Sequence, residues 1–227
     1  TGSSSPGCML WRLPVASFGA QNSEAGGKTK NPTQQDFLGG QSVSIQSNGY
    51  FMERVVGVVV HRALELLSQR AVLPTEVDAT IRRGLEFGLI DGGLSAHLLA
   101  DSLATAEAMV AATLKDKRGR WILEQHPEAH SELVLMSPGA NGTPVQHIID
   151  RTFLDPETGY RWVIDYKTSQ PSATESEQQF LAREVQHYSA QLARYRTVIE
   201  SFFPTPSAVK TALYFPAASL WICPEGL

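Results

Sequence analysis

Two aspartates and a lysine lie at the ends of two neighbouring strand-like runs. Asp150 ends the run "HIID", and the next run, "WVIDYK", ends in Asp165, Tyr166 and Lys167. Because side chains alternate between the faces of a strand, Asp165 and Lys167 are expected to share one face, with Tyr166 on the other. If the two runs pair as a hairpin through "DPETG", Asp150 and Asp165 stand side by side.

Adjacent carboxylates repel one another unless a cation neutralises them. Oxygen ligands of this kind suit Mg²⁺ or Mn²⁺. A lysine beside such an ion can position a water, help to deprotonate it, or stabilise charge that develops on a phosphate. The pattern therefore predicts a metal-dependent phosphodiesterase site. The alternative for the same residues is an ordinary solvated acid–base pair at a strand end.

Hydrophobic periodicity predicts the elements that hold these residues. Apolar side chains at helical spacing predict helices at 51–70, at 75–89 with Thr75 as the N-cap, at 94–116, at 120–125, and from about Gln178 to Phe203. Alternating patterns bounded by turn residues predict strands at 130–136, 145–154, 160–168 and 208–216. Helices followed by three strands, a helix and a strand predict an α/β fold.

Composition limits the classes of function. The chain has 227 residues, 42% of them hydrophobic, and a net charge of −4, which suits one globular domain and excludes a globally basic nucleic-acid binder. Cys8 and Cys223 provide no CxxC spacing, so neither a cysteine zinc knuckle nor a disulfide framework is indicated. No apolar run approaches the roughly 20 residues that span a membrane. We therefore expect a cytoplasmic protein with no membrane partner.

The first fifty residues differ in composition from the rest. Residues 1–50 are rich in Gly, Ser, Gln and Asn and have no sustained apolar period, which predicts a linker or an irregular segment. The folded domain is predicted to occupy residues 51–227. Because the chain begins with Thr1, we expect it to be a piece of a longer protein or a processed one.

Several motifs together resemble the PD-(D/E)XK nuclease superfamily, and within it the RecB-type and AddA-type nuclease domains. "IID…VIDYKT" is similar to the core signature, in which an Asp precedes an acid–x–Lys sequence. "RVVGVVVHRALE" resembles the R-x-x-G-x-x-x-H-x-x-L-E helix of those domains, "SELVL" their acid-bearing first core strand, and "HYSAQLARY" their Q-x-x-x-Y helix. The motifs occur in the family's order over about residues 51 to 215.

The resemblance implies a fold and a metal site. It implies a restriction-endonuclease-like core, in which helices flank a mixed central β-sheet, with a further helical portion at the N-terminus. It implies that His61, Asp150, Asp165 and the carbonyl group of Tyr166 hold Mg²⁺ or Mn²⁺. Lys167 would be the catalytic lysine.

The resemblance also implies supporting residues and partners. Glu132 would be a secondary acid, and Gln191 and Tyr195 would support the site or contact DNA. In that family the domain is fused to the C-terminus of a superfamily 1 helicase. The implied reaction is hydrolysis of single-stranded DNA that the helicase feeds to the nuclease during double-strand-break repair and recombination. The implied partners are the helicase portion of the same polypeptide and an AddB-like or RecC-like second subunit.

Two alternatives remain for the function. The domain could be a catalytically inactive nuclease fold that binds DNA or acts as a scaffold in a helicase–nuclease complex. It could instead be a stand-alone nuclease related to the CRISPR-associated RecB-like exonucleases, although those usually carry an iron–sulfur cluster and this chain cannot supply four cysteines.

Three histidines outside the predicted ligand set need separate interpretation. His147 stands where the family often has a glycine, three residues before Asp150, so its ring would either hinder the DNA backbone or face away. His126 and His130 have a spacing compatible with metal ligands. Pro127 and the polar context nevertheless predict a solvated loop there.

Overall fold

The computed structural model describes residues 40–139, 143–203 and 208–224, with side chains from Gly49 onward. The helices within these residues are α1 Gly40–Ser68, α2 Ala79–Asp91, α3 Ala96–Lys115, α4 Lys117–Leu123 and α5 Glu177–Phe202. The strands are β1 His130–Pro138, β2 Pro144–Leu154, β3 Arg161–Tyr166, β4 Val209–Phe215 and β5 Leu220–Ile222. No helix in these ranges has both the length and the apolar character required to cross a membrane.

The strands form one mixed sheet in the order β1-β2-β3-β4-β5. Neighbouring strands are antiparallel except β3 and β4, which are parallel and are joined through α5. A parallel pair requires a crossover connection of this kind, whereas the antiparallel pairs need only short turns. The structure confirms the predicted α/β class with a mixed central sheet and an N-terminal helical portion.

Helices cover both faces of the sheet. On one face, α1 to α4 build a large apolar core in which Val60 and Leu64 of α1 pack with Ile164 of β3 and Tyr214 of β4. On the other face, Val198 and Ile199 of α5 pack with Val163 of β3. The alternation of Val163 and Ile164 explains why β3 reads as a continuous apolar run, since a central strand buries both of its faces.

The start of α2 differs from the prediction. Thr75 is not the N-cap, because that position belongs to Asp78, whose carboxylate accepts the N–H groups of Thr80 and Ile81 at 2.8 Å each. An aspartate in this position satisfies two of the N–H groups that the first helical turn leaves without partners.

The N-terminal limits also differ from those read from the sequence. Helix α1 begins at Gly40, earlier than the expected start at residue 51. Residues 1–39 lie outside the described residues, so the linker assigned to residues 1–50 and the boundary at residue 51 stay predictions. Strand β5 was missed altogether, because its three residues are too few to display an alternating pattern.

In both β1 and β2, the alternation of side chains between the two faces of the sheet is interrupted, and the two interruptions lie opposite one another. Ser131 hydrogen-bonds Ser68 at the end of α1, whereas Leu133 packs against the α5 cluster. Residues two apart in a regular strand share a face, so the alternation breaks at the residue between them, Glu132. Glu132 has a φ of +49°, in the left-handed region that non-glycine residues rarely adopt.

The same change occurs on β2 around Asp150. Arg151 donates hydrogen bonds to the carbonyl oxygens of Ile122 and Glu124, on the α4 side of the sheet. Ile149, two residues earlier, belongs to the α5 cluster. Glu132 and Asp150 therefore occupy the point where both strands switch faces, between the layer formed by α1 and the layer formed by α5.

Candidate metal centre and active site

The β2–β3 hairpin places the two predicted aspartates opposite one another. Arg151 pairs with Ile164, so the next residues outward along the same register are Asp150 and Asp165. The hairpin closes through "DPETG", where the N–H of Asp155 donates to the carbonyl of Tyr160 at 2.9 Å and Gly159 adopts a φ of +70°. Gly159 accepts this left-handed conformation because it has no Cβ. The predicted hairpin and its turn are therefore present.

The carboxylate of Asp150 has one neighbour on β3 and one on α1. Its Oδ2 atom accepts the backbone N–H of Tyr166 at 2.7 Å, and His61 Nδ1 lies 3.6 Å from the same oxygen. His61 comes from α1, which approaches the end of β3 closely at Gly57. A Cβ atom built on Gly57 would lie 3.3 Å from Thr168 Oγ1. The glycine one helical turn before His61 thus allows α1 to bring the imidazole to Asp150.

His61, Glu132 and Asp150 form a group that could hold a metal ion. One ligand atom from each lies within 4.8 Å of the others. A neutral imidazole nitrogen with carboxylate oxygens is a donor set that divalent cations such as Mn²⁺ accept, and carboxylates suit Mg²⁺. Glu132, predicted as a secondary acid, therefore lies closer to a possible ion than the sequence indicated.

The charges in this group perturb one another. Burial and the charge of Asp150 raise the pKa of Glu132 to about 7. Burial opposes protonation of His61, but the neighbouring carboxylate of Asp150 raises the pKa of His61 above its ordinary value. The negative charge of Asp150 contributes to both shifts, and a divalent cation would offset that charge.

Asp165 is almost fully buried beside this group. Burial and the neighbouring Asp150 raise the pKa of Asp165. Its Oδ1 atom accepts a hydrogen bond from Gln191 Nε2 at 3.2 Å. Its Oδ2 atom lies 2.7 Å from Lys167 Nζ, close enough for an ion pair, but it has no partner in hydrogen-bond geometry. A buried carboxylate oxygen that keeps unused acceptor capacity fits a metal ligand.

Lys167 points to the same face as Asp165, as predicted. Besides Asp165, its ammonium group contacts Gln191 Oε1 at 3.4 Å and the ring of Tyr188, whose centroid is 4.0 Å from Nζ. Gln191 Nε2 also donates to the hydroxyl of Tyr195 at 2.9 Å. Burial raises the pKa of Tyr195 to about 12, so the hydroxyl stays protonated at neutral pH.

The structure thus brings the predicted site residues together at one end of the sheet. His61, Glu132 and Asp150 form the candidate ligand group, and Tyr166 adjoins it through its N–H bond to Asp150. Asp165, Lys167, Gln191 and Tyr195 form a connected hydrogen-bond and ion-pair network against α5. The contact of Tyr188 with Lys167 was missed. Its position three residues before Gln191, on the same helix face, was a signal that could have found it.

The other histidines have structural partners. His147 is buried, and its Nε2 lies 2.8 Å from Ser137 Oγ. It pairs across the strands with Leu135, which belongs to the α5 cluster. His126 was predicted to lie in a solvated loop, but its ring stacks on Phe153 at 4.0 Å and its Nε2 lies 2.6 Å from the carbonyl oxygen of Trp121. The reason is that the loop packs against the end of β2, where the N–H of Leu154 donates to the carbonyl oxygen of Pro127 at 2.9 Å.

Comparison with known families agrees with this arrangement. The family model of the PD-(D/E)XK nuclease superfamily matches residues 41–220. The chain belongs to the PD-(D/E)XK nuclease superfamily. Proteins of this superfamily are generally nucleases that depend on divalent metal ions, and the match includes all of the candidate site residues. No curated protein matches the chain at a significant level.

Proposed function

We propose that this chain is a Mg²⁺- or Mn²⁺-dependent deoxyribonuclease domain that hydrolyses phosphodiester bonds at the site around Asp150 and Asp165. The observation that carries the proposal is that a candidate metal-binding group and a buried acid–lysine pair lie next to one another. The His61, Glu132 and Asp150 group can hold an ion, and the Asp165–Lys167 pair lies beside it. A solvated acid–base pair does not fit, because Asp165 is only 2% exposed.

The proposed ligands are His61, Asp150, Asp165 and the carbonyl oxygen of Tyr166, with Glu132 as an additional acid. A divalent ion bound there would lower the pKa of a coordinated water and neutralise charge on the phosphate. Neighbouring residues hold the ligand carboxylates in position. The Tyr166 N–H fixes one oxygen of Asp150, and Gln191 fixes one oxygen of Asp165. Lys167 places a cationic donor where a water or a phosphate oxygen would lie.

The RecB-type and AddA-type motifs support a more specific role. Arg54, Gly57 and His61 of α1 and Gln191 and Tyr195 of α5 match the two helical motifs of those domains. We propose that the domain acts on single-stranded DNA supplied by a helicase portion of the same polypeptide, during double-strand-break repair and recombination. An exonuclease V-like activity and an AddB-like or RecC-like second subunit follow from the same motifs.

The first test is cleavage of a labelled single-stranded oligonucleotide by the purified protein with Mg²⁺, with Mn²⁺ and with EDTA. We expect metal-dependent cleavage that Asp165→Ala and Lys167→Ala both abolish. Substitution of His147, which lies in the same strand as Asp150 but hydrogen-bonds Ser137, provides a control, and His147→Asn should retain activity. Cleavage that persists in either site variant would refute the assigned mechanism.

A second measurement separates an inactive scaffold from a nuclease that requires a helicase. If the wild-type protein does not cleave DNA, calorimetric titration with Mn²⁺ decides between them. Binding that disappears in Asp150→Asn supports the nuclease assignment. Absence of binding in the wild-type protein supports the non-catalytic alternative.

A further inference from the structure

The aromatic ring of Tyr188 is one of three contacts around the ammonium group of Lys167. Nζ lies 4.0 Å from the ring centroid, 2.7 Å from Asp165 Oδ2 and 3.4 Å from Gln191 Oε1. The three contacts are of different kinds: an aromatic ring face, an ion pair and an amide oxygen. Asp165 and Gln191 occupy defined positions of the family motifs, whereas Tyr188 lies three residues before the Q-x-x-x-Y pattern begins. Its contact with Lys167 is therefore an observation that the family signature does not explain.

The ring differs from the other two contacts in the kind of attraction that it provides. The face of an aromatic ring carries partial negative charge and attracts a nearby cation, most strongly where water is excluded. The Lys167 side chain is only 16% exposed, so this condition is met. Asp165 is a proposed metal ligand, and a carboxylate that shares its charge with a metal ion attracts the ammonium group less. The attraction of the ring does not change in that way.

The surroundings of Tyr188 hold its ring in place. Tyr188 packs against the apolar cluster that includes Phe180, Leu192 and Leu213. The ring of His187 meets it edge-on, with centroids 4.6 Å apart. Burial raises the pKa of the Tyr188 hydroxyl, so the ring that faces Lys167 belongs to a neutral phenol. A ring fixed by these contacts can in turn restrict the long, flexible lysine side chain.

We propose that Tyr188 is a positioning residue whose ring face holds the Lys167 ammonium group in the orientation required for phosphodiester hydrolysis. This inference rests on the proposed nuclease function and adds a residue to it. The competing explanation is that Tyr188 only fills space beside the α5 cluster. The two explanations differ in what they require of the side chain: the first requires an aromatic face, and the second requires apolar volume.

Two substitutions separate these requirements. Tyr188→Phe keeps the ring face and removes the hydroxyl, and Tyr188→Leu keeps apolar bulk and removes the ring face. For Tyr188→Leu we expect kcat to fall by roughly 3- to 30-fold, the range that corresponds to a desolvated cation–π contact. KM for the oligonucleotide should stay within about twofold, because the lysine acts on the reacting phosphate rather than on remote binding. Tyr188→Phe should retain wild-type kcat.

Phe202→Leu is the matched control for loss of an aromatic ring from the same helix. Phe202 is exposed at the last residue of α5, fourteen residues beyond Tyr188, which is about 21 Å along the helix. This variant should keep wild-type kcat and KM. Equal kcat for Tyr188→Leu and Tyr188→Phe would overturn the proposal. An increase in KM for Tyr188→Leu with unchanged kcat would also overturn it, because the ring would then be contacting DNA.

NMR spectroscopy tests the contact without any requirement for activity. Protons above an aromatic face resonate upfield, so the Hε protons of Lys167, assigned by their loss in Lys167→Arg, should be upfield of ordinary lysine values. The shift should persist in Tyr188→Phe and disappear in Tyr188→Leu. Ordinary Hε positions in the wild-type protein would overturn the proposal even if cleavage is observed. An upfield shift in a protein that neither cleaves DNA nor binds Mn²⁺ would refute the nuclease assignment, and the positioning role with it, while leaving the contact established.

Discussion

Most of the site depends on carboxylates that would be unstable together without compensation. Asp150, Asp165 and Glu132 lie at one end of the sheet, and burial with mutual repulsion raises the pKa of both Asp165 and Glu132. Two fixed positive charges oppose this shift, that of Lys167 beside Asp165 and that of Arg62 acting on Glu132. The arrangement therefore favours protons or a metal ion, and the two compete for the same oxygens.

The pKa shifts predict how the stability of the metal-free protein depends on pH. Glu132 and Asp165 bind protons more tightly in the folded state, and so does His61. Groups of this kind stabilise the folded state fully below their unfolded pKa and lose that contribution as pH rises through their folded pKa. We expect the free energy of unfolding in EDTA to fall between about pH 4.5 and pH 8. Urea titrations across this range will measure it.

Glu132→Gln provides the control for this pH dependence. The amide cannot ionise, so the slope attributable to this residue should disappear in the variant. Asp155 does not interfere, because hydrogen bonds from Thr158 and Glu157 outweigh burial and lower its pKa, so it titrates below this range. A wild-type protein whose stability increases between pH 5 and pH 8 in EDTA would contradict the prediction.

Residue patterns revealed part of this site and not the rest. Alternation predicted that Asp165 and Lys167 share a face, and the turn "DPETG" predicted the hairpin that places Asp150 opposite Asp165. The left-handed backbone of Glu132 was not predictable, because it arises where β1 must turn from one packing layer to the other. A non-glycine residue in this conformation costs of order 1–3 kcal/mol, which the surrounding fold must offset.

At the scale of the elements, the position of α1 decides whether His61 reaches Asp150. Helix α1 packs closely at Gly57, where an added Cβ would lie 3.3 Å from Thr168 Oγ1. Thr168 lies two residues beyond the end of β3, the strand that carries Asp165, and directly follows Lys167. One close contact therefore couples the helix that provides the imidazole to the segment that provides the acid and the lysine.

Gly57→Leu is expected to weaken metal binding. The larger side chain would push α1 away from Thr168 and increase the 3.6 Å separation between His61 and Asp150. Displacement of a site residue by about 1 Å can reduce activity by roughly 100-fold. We therefore expect the affinity for Mn²⁺ to fall by about tenfold or more. Isothermal titration calorimetry will measure it.

Gly84→Leu is the matched control, because a Cβ at Gly84 of α2 meets nothing within 4 Å. This variant should bind Mn²⁺ with wild-type affinity. Removal of the opposing side chain, in Gly57→Leu with Thr168→Ala, should restore part of the affinity. If Gly57→Leu alone binds Mn²⁺ normally, close packing of α1 does not position His61.

The elements themselves were largely readable from the sequence. Amphipathic periods located α3 and α5, and alternating runs located β1 to β4, because each of these elements is long enough to repeat its pattern. The start of α2 was misplaced, since Thr75 and Asp78 are both good N-caps and only the folded structure shows which carboxylate or hydroxyl meets free N–H groups. Strand β5 depends on pairing with β4 and has little pattern of its own.

At the scale of the whole molecule, the net charge of −4 repels a polyanionic substrate, so bound metal ions are needed to bring the two together. Part of this negative charge is concentrated at the site, in Glu132, Asp150 and Asp165. DNA would therefore approach a surface that repels it unless cations are bound first. Metal binding and substrate binding are expected to be coupled in this protein.

Metal binding should accordingly raise the melting temperature. A ligand at 100 times its Kd stabilises the folded state by about 2.7 kcal/mol, which for a chain of this size corresponds to roughly 5–10 °C. We expect a rise of this order with Mn²⁺ at pH 8, measured by calorimetry. Asp150→Asn, whose side-chain amide oxygen can still accept the Tyr166 N–H, should show no rise. A wild-type protein whose melting temperature does not respond to Mn²⁺ or Mg²⁺ would contradict the proposed metal site.

The position of the parallel β3–β4 pair has a consequence for the order in which the molecule folds. The β2–β3 hairpin joins residues that are close in sequence, so Asp150 and Asp165 can meet early, while water still screens their charges. The N–H of Lys167 can bond the carbonyl oxygen of Tyr214 only when α5 has crossed over and β4 has paired with β3. Contacts with such long sequence separation form slowly. We therefore expect the carboxylates to be buried late in folding, and a bound cation to lower the electrostatic cost of that step.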